Sequence, residues 1–546
     1  MQDELSGSAT VSSNMATVAP NMVWDAWGVA AGHQPLSAQI RGLLGQVFGI
    51  SGEPVARRAA DEVPLVPTAL TAADRSGLAA IVGDEHLTTA DLDRLRHAGG
   101  KSTPDLLRRR ASEPQNAPDA VVFPADHAQV LALLTYCAEH AVAVVPFGGG
   151  TSVVGGVDPV RGQFATVIAL DLRRLDTLTE VDPASGTATL GAGLTGPQAE
   201  ELLGAHGLSL GHFPQSFEFA SIGGFAATRS SGQASAGYGR FDDMVERLVI
   251  ATPQGTLDLG RAPASAAGPD LRELFVGSEG ALGIITSVTL RVHPVPETVG
   301  YQAWSFPDFA TGAAALRAVV QAGAAPTVMR LSDEAETGLN LARSADVGGN
   351  PVSGCLAVTT FEGTKDHVAA RSAEASALLA AAGGTALGEA PAQQWEHGRF
   401  AAPYLRDALL DVGVLCETLE TATSWANLTN LKVKVTGALM DALGAQGTPA
   451  LVMCHISHTY PTGASLYFTV VAKQLDDPIA QWRIAKSAAS DAMVAAGGTI
   501  THHHAVGADH RPWMRAEIGD LGVRVLRAVK RELDPTGVLN PGKLVP

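Results

Sequence analysis

The chain has 546 residues, of which 46% are hydrophobic and 17% charged; that is length for roughly three or four domains and too apolar a composition for disorder. A formal net charge of −17 argues against a nucleic-acid partner, which needs basic surface, and against a polybasic membrane face. The four cysteines (Cys137, Cys355, Cys416, Cys454) form no C-x-x-C pair, so neither a disulfide framework nor a cysteine zinc site is expected, and a reducing compartment fits.

The opening "MQDELSGSATVSSNMATVAP" is acidic and lacks a basic flank and an apolar core, so it is not read as a secretory signal. No uncharged apolar run reaches the length of a membrane span, and the ending "KLVP" matches no sorting address. A cytoplasmic protein is expected. Residues 1–115 read as a prelude of short helical patterns, in which Trp24 and Trp27 are expected to be packing anchors. From Ala117 the texture changes: "PDAVVFPADHAQVLALLTYCAEHAVAVVPFGGG" predicts strand, turn, helix and strand.

That last strand, read over Ala141–Val145, stops at Pro146 and opens into "FGGGTSVVGG". Glycine permits φ > 0 and close backbone approach, and successive N–H groups in such a turn make a concave anion site. A phosphate cradle and a plain tight turn are both consistent with this stretch alone. It is not a P-loop, lacking Gly-Lys-Ser/Thr, and not a Rossmann fingerprint. Short strands and a helix continue to "VTLRVHPVPET", which predicts a mixed α+β unit over 116–298. Residues 299–500 read as an α/β region with Ala-rich helices, and 501–546 as a tail with one helix.

The tail begins with "THHHAVG". Histidine titrates near neutral pH and suits acid–base work. In an extended segment His502 and His504 would share one face and His503 the other, so at most two of the three are expected to reach a substrate. His455 and His458, in "CHISHTY", add a zinc alternative. No carboxylate or cysteine sits nearby at ligand spacing, however, and no metal is assigned.

Four more stretches join the glycine loop: "PQSFEFASIGGFAATRSSGQASAGYG", "GSEGALGIITSVTLRV", "THHHAVG" and "LDPTGVLNPGK". In this order they resemble the flavoprotein family of vanillyl-alcohol oxidase and p-cresol methylhydroxylase. The resemblance implies an α+β fold: a two-part FAD-binding domain, a substrate (cap) domain, and a C-terminal segment returning to the flavin site. Non-covalent FAD is implied, since the glycine loop offers no histidine or cysteine. Its contacts would be Pro146, Gly148, Gly149, Gly150, Thr151 and Ser152; then Ser216, Ser221, Ile222, Gly223, Gly224, Thr228, Ser230, Ser231 and Gly232; then Glu279, Gly280, Gly283 and Ile285.

Within that family "WDAWG", "YLRDALLDVGVLCETLETATSW", "CHISHTYPTGASLYF" and the triple histidine resemble the alkyldihydroxyacetonephosphate synthase branch. Related 2-hydroxy-acid dehydrogenases usually carry a Glu-His-Gly-type sequence in place of "HHHAVG". The branch implies exchange of the acyl group of acyl-dihydroxyacetone phosphate for a long-chain fatty alcohol, without net redox. It implies Arg406 on the substrate phosphate, and Tyr467, His503 and His504, with His502, as proton-handling groups. Read bottom-up, Arg406 would instead be a helix arginine paired with Asp407 or Asp411, and Tyr467 a core tyrosine. The resemblance further implies a homodimer and leaves peripheral membrane contact open. An FAD-dependent dehydrogenase or oxidase of a hydroxy acid or alcohol is the alternative.

Overall fold

A computed structural model describes residues 21–339 and 353–546. The opening stretch read above as lacking a secretory signal lies outside them. Among the described residues no helix is long and apolar enough to cross a membrane.

Three sheets of four or more strands organise the described residues, beside one two-stranded pair. The first has four strands in the order Leu87–Thr88, Ala120–Val122, Thr166–Asp171, Val142–Phe147, the last three mutually parallel. Those three strands are buried almost throughout, as parallel strands covered on both faces are. The helix His127–His140 provides the crossover; the Asp126 carboxylate caps it by accepting from Gln129 N. Ala141, read as the first strand residue, is instead its left-handed C-cap with φ 55°, and the strand runs through Pro146 to Phe147. The second sheet is antiparallel, in the order Leu178–Asp182, Thr187–Gly191, Ile284–Arg291, Val245–Thr252, Gly255–Leu259.

The third sheet has seven antiparallel strands, in the order Thr385–Gly388, Thr298–Phe306, Cys355–Gly363, Val328–Ser332, Leu451–Thr459, Gly463–Lys473, Val414–Ser424. The alternation of helices and strands beyond residue 299 therefore yields no parallel crossover. The helices Phe309–Gln321, Lys365–Ala381, Leu428–Ala445 and Pro478–Ala495 contribute to a large apolar core with this sheet.

The tail comes back to the first sheet. Val144 N donates to Val538 O at 2.8 Å and Asn540 N to Val144 O at 2.8 Å, so 538–540 pairs parallel along the open edge of Val142–Phe147. Buried Asp534 holds the turn by accepting from the amides of Gly537, Val538 and Leu539. Asn540 Nδ2 donates to Gly156 O and Glu279 O, and Lys543 Nζ to Asp158 O. The "NPGK" ending is thus an anchor beneath the glycine loop.

Candidate active site

The loop after Val142–Phe147 packs against the segment 219–221. A Cβ on Gly149 would collide with Phe219 O, one on Gly148 with Ser221 Oγ, and one on Gly150 (φ 68°) with the Phe147 ring. Glycine is required here by close packing. Among the described residues the amides of Gly148 to Ser152 donate to no protein acceptor. Of these residues Gly150 is buried and the others half-buried; a row of unpaired N–H groups on a concave loop suits an anionic ligand. The tight-turn reading is realised behind the loop, where its glycines pack; in front, its amides are left without a protein partner among the described residues.

In front lies a cavity of about 380 Å³. From the glycine side Gly148, Gly149, Gly150, Thr151, Ser152, Ser216, Ser221, Gly224, Thr228, Ser230 and Ser231 line it; facing them are Tyr467 from the seven-stranded sheet, Arg406 from a helix beside it, and His503 and His504 from the tail. Pro146, Ile222, Gly223, Gly232, Glu279, Gly280, Gly283 and Ile285 do not line it. Gly280 packs directly behind Pro146, while Glu279, 7% exposed, turns both carboxylate oxygens to Gly507 N at 2.8 and 3.0 Å. Burial above all pushes Glu279 up to about 7, against the opposing pull of the Gly507 and Val506 amides and Lys543.

The histidine segment is bent, not extended, and this replaces the alternation expected for it. Glu420, on Val414–Ser424, is the cause. Its carboxylate accepts from Thr501 Oγ1 (2.5 Å), His502 N (2.5 Å), His503 N (3.2 Å) and His504 N (2.9 Å). Wrapped around one carboxylate, consecutive His503 and His504 both face the cavity, whereas His502 turns away to Tyr460 Oη at 2.6 Å. Burial opposes ionisation of Glu420, but the His503, His504 and His502 imidazoles and Thr501 hold it well below the usual carboxylate range. Burial likewise drives the three imidazoles down, His504 to about 3. Burial thus favours their neutral forms.

Tyr467 projects from Gly463–Lys473, stacked on His455 at 4.9 Å and edge-on to His504 at 5.6 Å. Burial pushes its phenol up to about 12, so it keeps its proton. Arg406 lies on the helix Ala402–Asp411 and does pair with Asp407: Nε and Nη2 donate to Asp407 Oδ1 at 3.0 and 2.8 Å. It is nonetheless a wall of the cavity, not a surface group. Burial pulls its pKa down, but Asp407, Glu417 and Cys416 outweigh this and raise it.

The first hundred residues hold this pair in place. Asp407 Oδ2 accepts from Trp27 N at 2.6 Å, and Arg406 Nη1 donates to Lys101 O at 2.5 Å. Lys101 N in turn donates to Ser152 O at 2.7 Å, and its Nζ is spent on the carbonyls of Val23 and Ala26. Trp27, expected only to pack, meets Phe219 edge-on at 5.6 Å and also lines the cavity.

Sequence reasoning missed Glu420, Arg330, Glu336 and Tyr460. Arg330 and His455 share the buried Glu336 carboxylate. Against burial, Arg330 and His455 lower that carboxylate to about 2. The available signal was a pair of glutamates, Glu417 and Glu420, in a largely apolar strand, "VLCETLETA"; the tie of Arg330 and Glu336 to His455, more than a hundred residues away, gave none. Nitrogens of His458, His502 and His503 come within 4.8 Å of one another, so the zinc alternative has a geometric basis. Both His502 nitrogens, however, are already engaged, by Tyr460 Oη and by His503 Nδ1.

Comparisons with known proteins agree on a family. Residues 118–259 match the model of an FAD binding domain, and 295–544 that of the C-terminal domain of FAD linked oxidases. The alkyldihydroxyacetonephosphate synthase of Dictyostelium discoideum is 36% identical, over 85% of this chain and 79% of that one. A solved alkyldihydroxyacetonephosphate synthase superposes with a TM-score of 0.82 at 30% identity, covering 96% of this chain and 98% of that one. p-Cresol methylhydroxylase superposes at 0.64 with 15% identity, over 88% of this chain and 98% of that one, a likeness of fold alone. The chain belongs to the alkyldihydroxyacetonephosphate synthase family of FAD-binding proteins.

Proposed function

We propose that this chain is an alkyldihydroxyacetonephosphate synthase, exchanging the acyl group of acyl-dihydroxyacetone phosphate for a fatty alcohol, and that one cavity brings cofactor and substrate together. The carrying observation is that unpaired glycine-loop amides and a buried guanidinium, phenol and imidazole pair face each other across it. The residues present fit FAD. The Gly148–Ser152 amides suit the pyrophosphate, and Ser216, Ser221, Gly224, Thr228, Ser230 and Ser231 line the path towards the imidazoles. Gln215 Nε2, Arg330 Nε and His458 Nδ1 are buried polar atoms at this cavity that lack partners among the described residues, as expected where a polar ligand belongs. When bound, FAD supplies an electrophilic ring for the dihydroxyacetone carbon.

The remaining chemistry falls to side chains. Arg406 has five N–H donors; Asp407 and Lys101 O take three. One N–H on each of Nη1 and Nη2 is left over for a phosphate oxygen. Tyr467, protonated at neutral pH, donates to an oxygen that leaves or enters. His503 and His504, kept neutral by burial, handle protons at the reacting carbon. Glu420 holds the imidazoles in position without touching substrate.

The decisive experiment supplies the purified flavoprotein with acyl-dihydroxyacetone phosphate and labelled hexadecanol, without an electron acceptor. Labelled ether product is expected; Tyr467→Phe and Arg406→Lys should each reduce it, the latter chiefly through a higher KM for the phosphorylated substrate. No ether, combined with acceptor-dependent oxidation of a hydroxy acid, would overturn the proposal.

A further inference from the structure

His458 belongs to "CHISHTYPTG", a stretch the proposed function leaves without a task. It ends the strand Leu451–Thr459 but one, and its amide donates to Ser465 Oγ at 3.1 Å. The residue is 4% exposed, yet its Nδ1 has no partner among the described residues. A buried ring nitrogen left unpaired calls for a physical reason.

The His458, His502 and His503 rings form a compact group. Their centroids make a nearly equilateral triangle: 5.1 Å from His458 to His502, 5.3 Å from His458 to His503 and 5.2 Å from His502 to His503. An ion about 2.1 Å from an imidazole nitrogen lies about 3.2 Å from the ring centroid, so three imidazoles set tetrahedrally on one ion have centroids about 5.2 Å apart. One nitrogen from each ring comes within 4.8 Å of the other two. His502 Nδ1 and His503 Nδ1 are 2.9 Å apart. Two nitrogens on a tetrahedral ion are about 3.4 Å apart, so seating an ion opens this pair slightly and draws the His458 ring in.

The surroundings suit such a group. With an ion on Nδ1, His502 keeps its proton on Nε2 and donates it to Tyr460 Oη, 2.6 Å away; metal-bound imidazoles are commonly oriented by such a bond. Tyr460 is fixed in turn, its carbonyl accepting from Trp425 Nε1 at 2.9 Å. The Glu420 carboxylate, 3.7 Å from His503 Nδ1, offsets positive charge brought into the group. Arg240, whose charge reaches all three rings, is paired with Asp242 at 2.9 Å. Burial favours the neutral imidazoles that a metal requires. His458 and His503 line the cavity, so a fourth ligand position opens onto it.

We propose that His458, His502 and His503 bind one divalent transition-metal ion, zinc by ligand type and geometry, and that the bound ion stops acyl–alkyl exchange. An ion on Nδ1 leaves His503 only an Nε2–H and places two positive charges beside it, so the ring can no longer take up a proton. The site rests on geometry alone; the inhibition rests on the proposed function.

Metal-stripped holoenzyme is titrated with zinc chloride near neutral pH. One ion per chain should bind, and X-ray absorption of the zinc form should show three imidazole nitrogens at about 2.0–2.1 Å. His458→Asn and His502→Asn, compared with wild type at equal flavin loading, should each weaken binding at least about tenfold. Zinc should abolish wild-type exchange at the same stoichiometry, and a chelator should restore it. A zinc shell without three imidazoles, no ion retained, or both variants binding as tightly as wild type would overturn the site. Zinc held by these rings with exchange undiminished would overturn the inhibition. Absence of exchange in the metal-free wild type would overturn the proposed function and the inhibition with it, while X-ray absorption would still decide the site.

Discussion

Two buried carboxylates grip the segment 501–507 from opposite sides, and they do it differently. Glu420, from the seven-stranded sheet, accepts four donors and faces three imidazoles. Glu279, from the FAD-binding side, has only the amides of Gly507 and Val506, with Lys543 at a distance. Both are equally out of water, yet one is held as a firm anion and the other is raised to about 7. Burial alone does not set the charge of a carboxylate; the ionisable groups and donors aimed at it decide.

The largest expected effect comes from Glu420→Gln. An amide presents N–H groups to a ring of N–H donors, so the variant should lose about 3 kcal/mol of stability. Exchange should fall at least about a hundredfold through misplaced imidazoles. Chemical unfolding and steady-state rates read the two. Gly507→Ala should cost about 2 kcal/mol, because φ is 54° and the new methyl would collide with Val154 O. Its damage should appear as displacement of the histidines with FAD retained.

Acid separates the two anchors next. The Glu420 pKa is depressed by folding, so its contribution is present above the unfolded carboxylate value of about 4.3 and is lost as pH falls. Wild type should lose stability on acidification below about pH 5 more steeply than Glu420→Gln. Glu279 runs the other way. Raised to about 7, its contribution is present below about pH 4.3 and is lost as pH rises towards 7. Glu279→Gln should therefore leave stability nearly unchanged at pH 5 and, at pH 8, be as stable as wild type or slightly more so. A marked loss at pH 8 would show that Glu279 acts as a useful anion and erase the contrast.

Legibility in the sequence followed the same division. The glycine cradle could be read because its chemistry is local: consecutive residues after one strand. Arg406, Tyr467, His503 and His504 were legible only through the family resemblance, and the structure gathers all four at one cavity. The alternation expected of the histidines failed because a residue more than eighty positions earlier, Glu420, bends the segment. Arg330 and Glu336 were invisible, since neither lies in a local pattern and their association with His455 needs strand pairing across the seven-stranded sheet. Trp27 read as packing because tryptophan usually is; that its amide bonds Asp407 has no side-chain signature at all.

That last bond has a practical outcome. The substrate-side arginine is aimed by a carboxylate that answers to Trp27, and by a carbonyl whose own residue clasps Val23 and Ala26. Cutting the chain back to its flavin and cap portions would leave every catalytic candidate in the product and still strip the guanidinium of its aim. The leading segment thus buttresses the arginine proposed for the substrate phosphate, and a fragment that begins after Lys101 is expected to lose turnover.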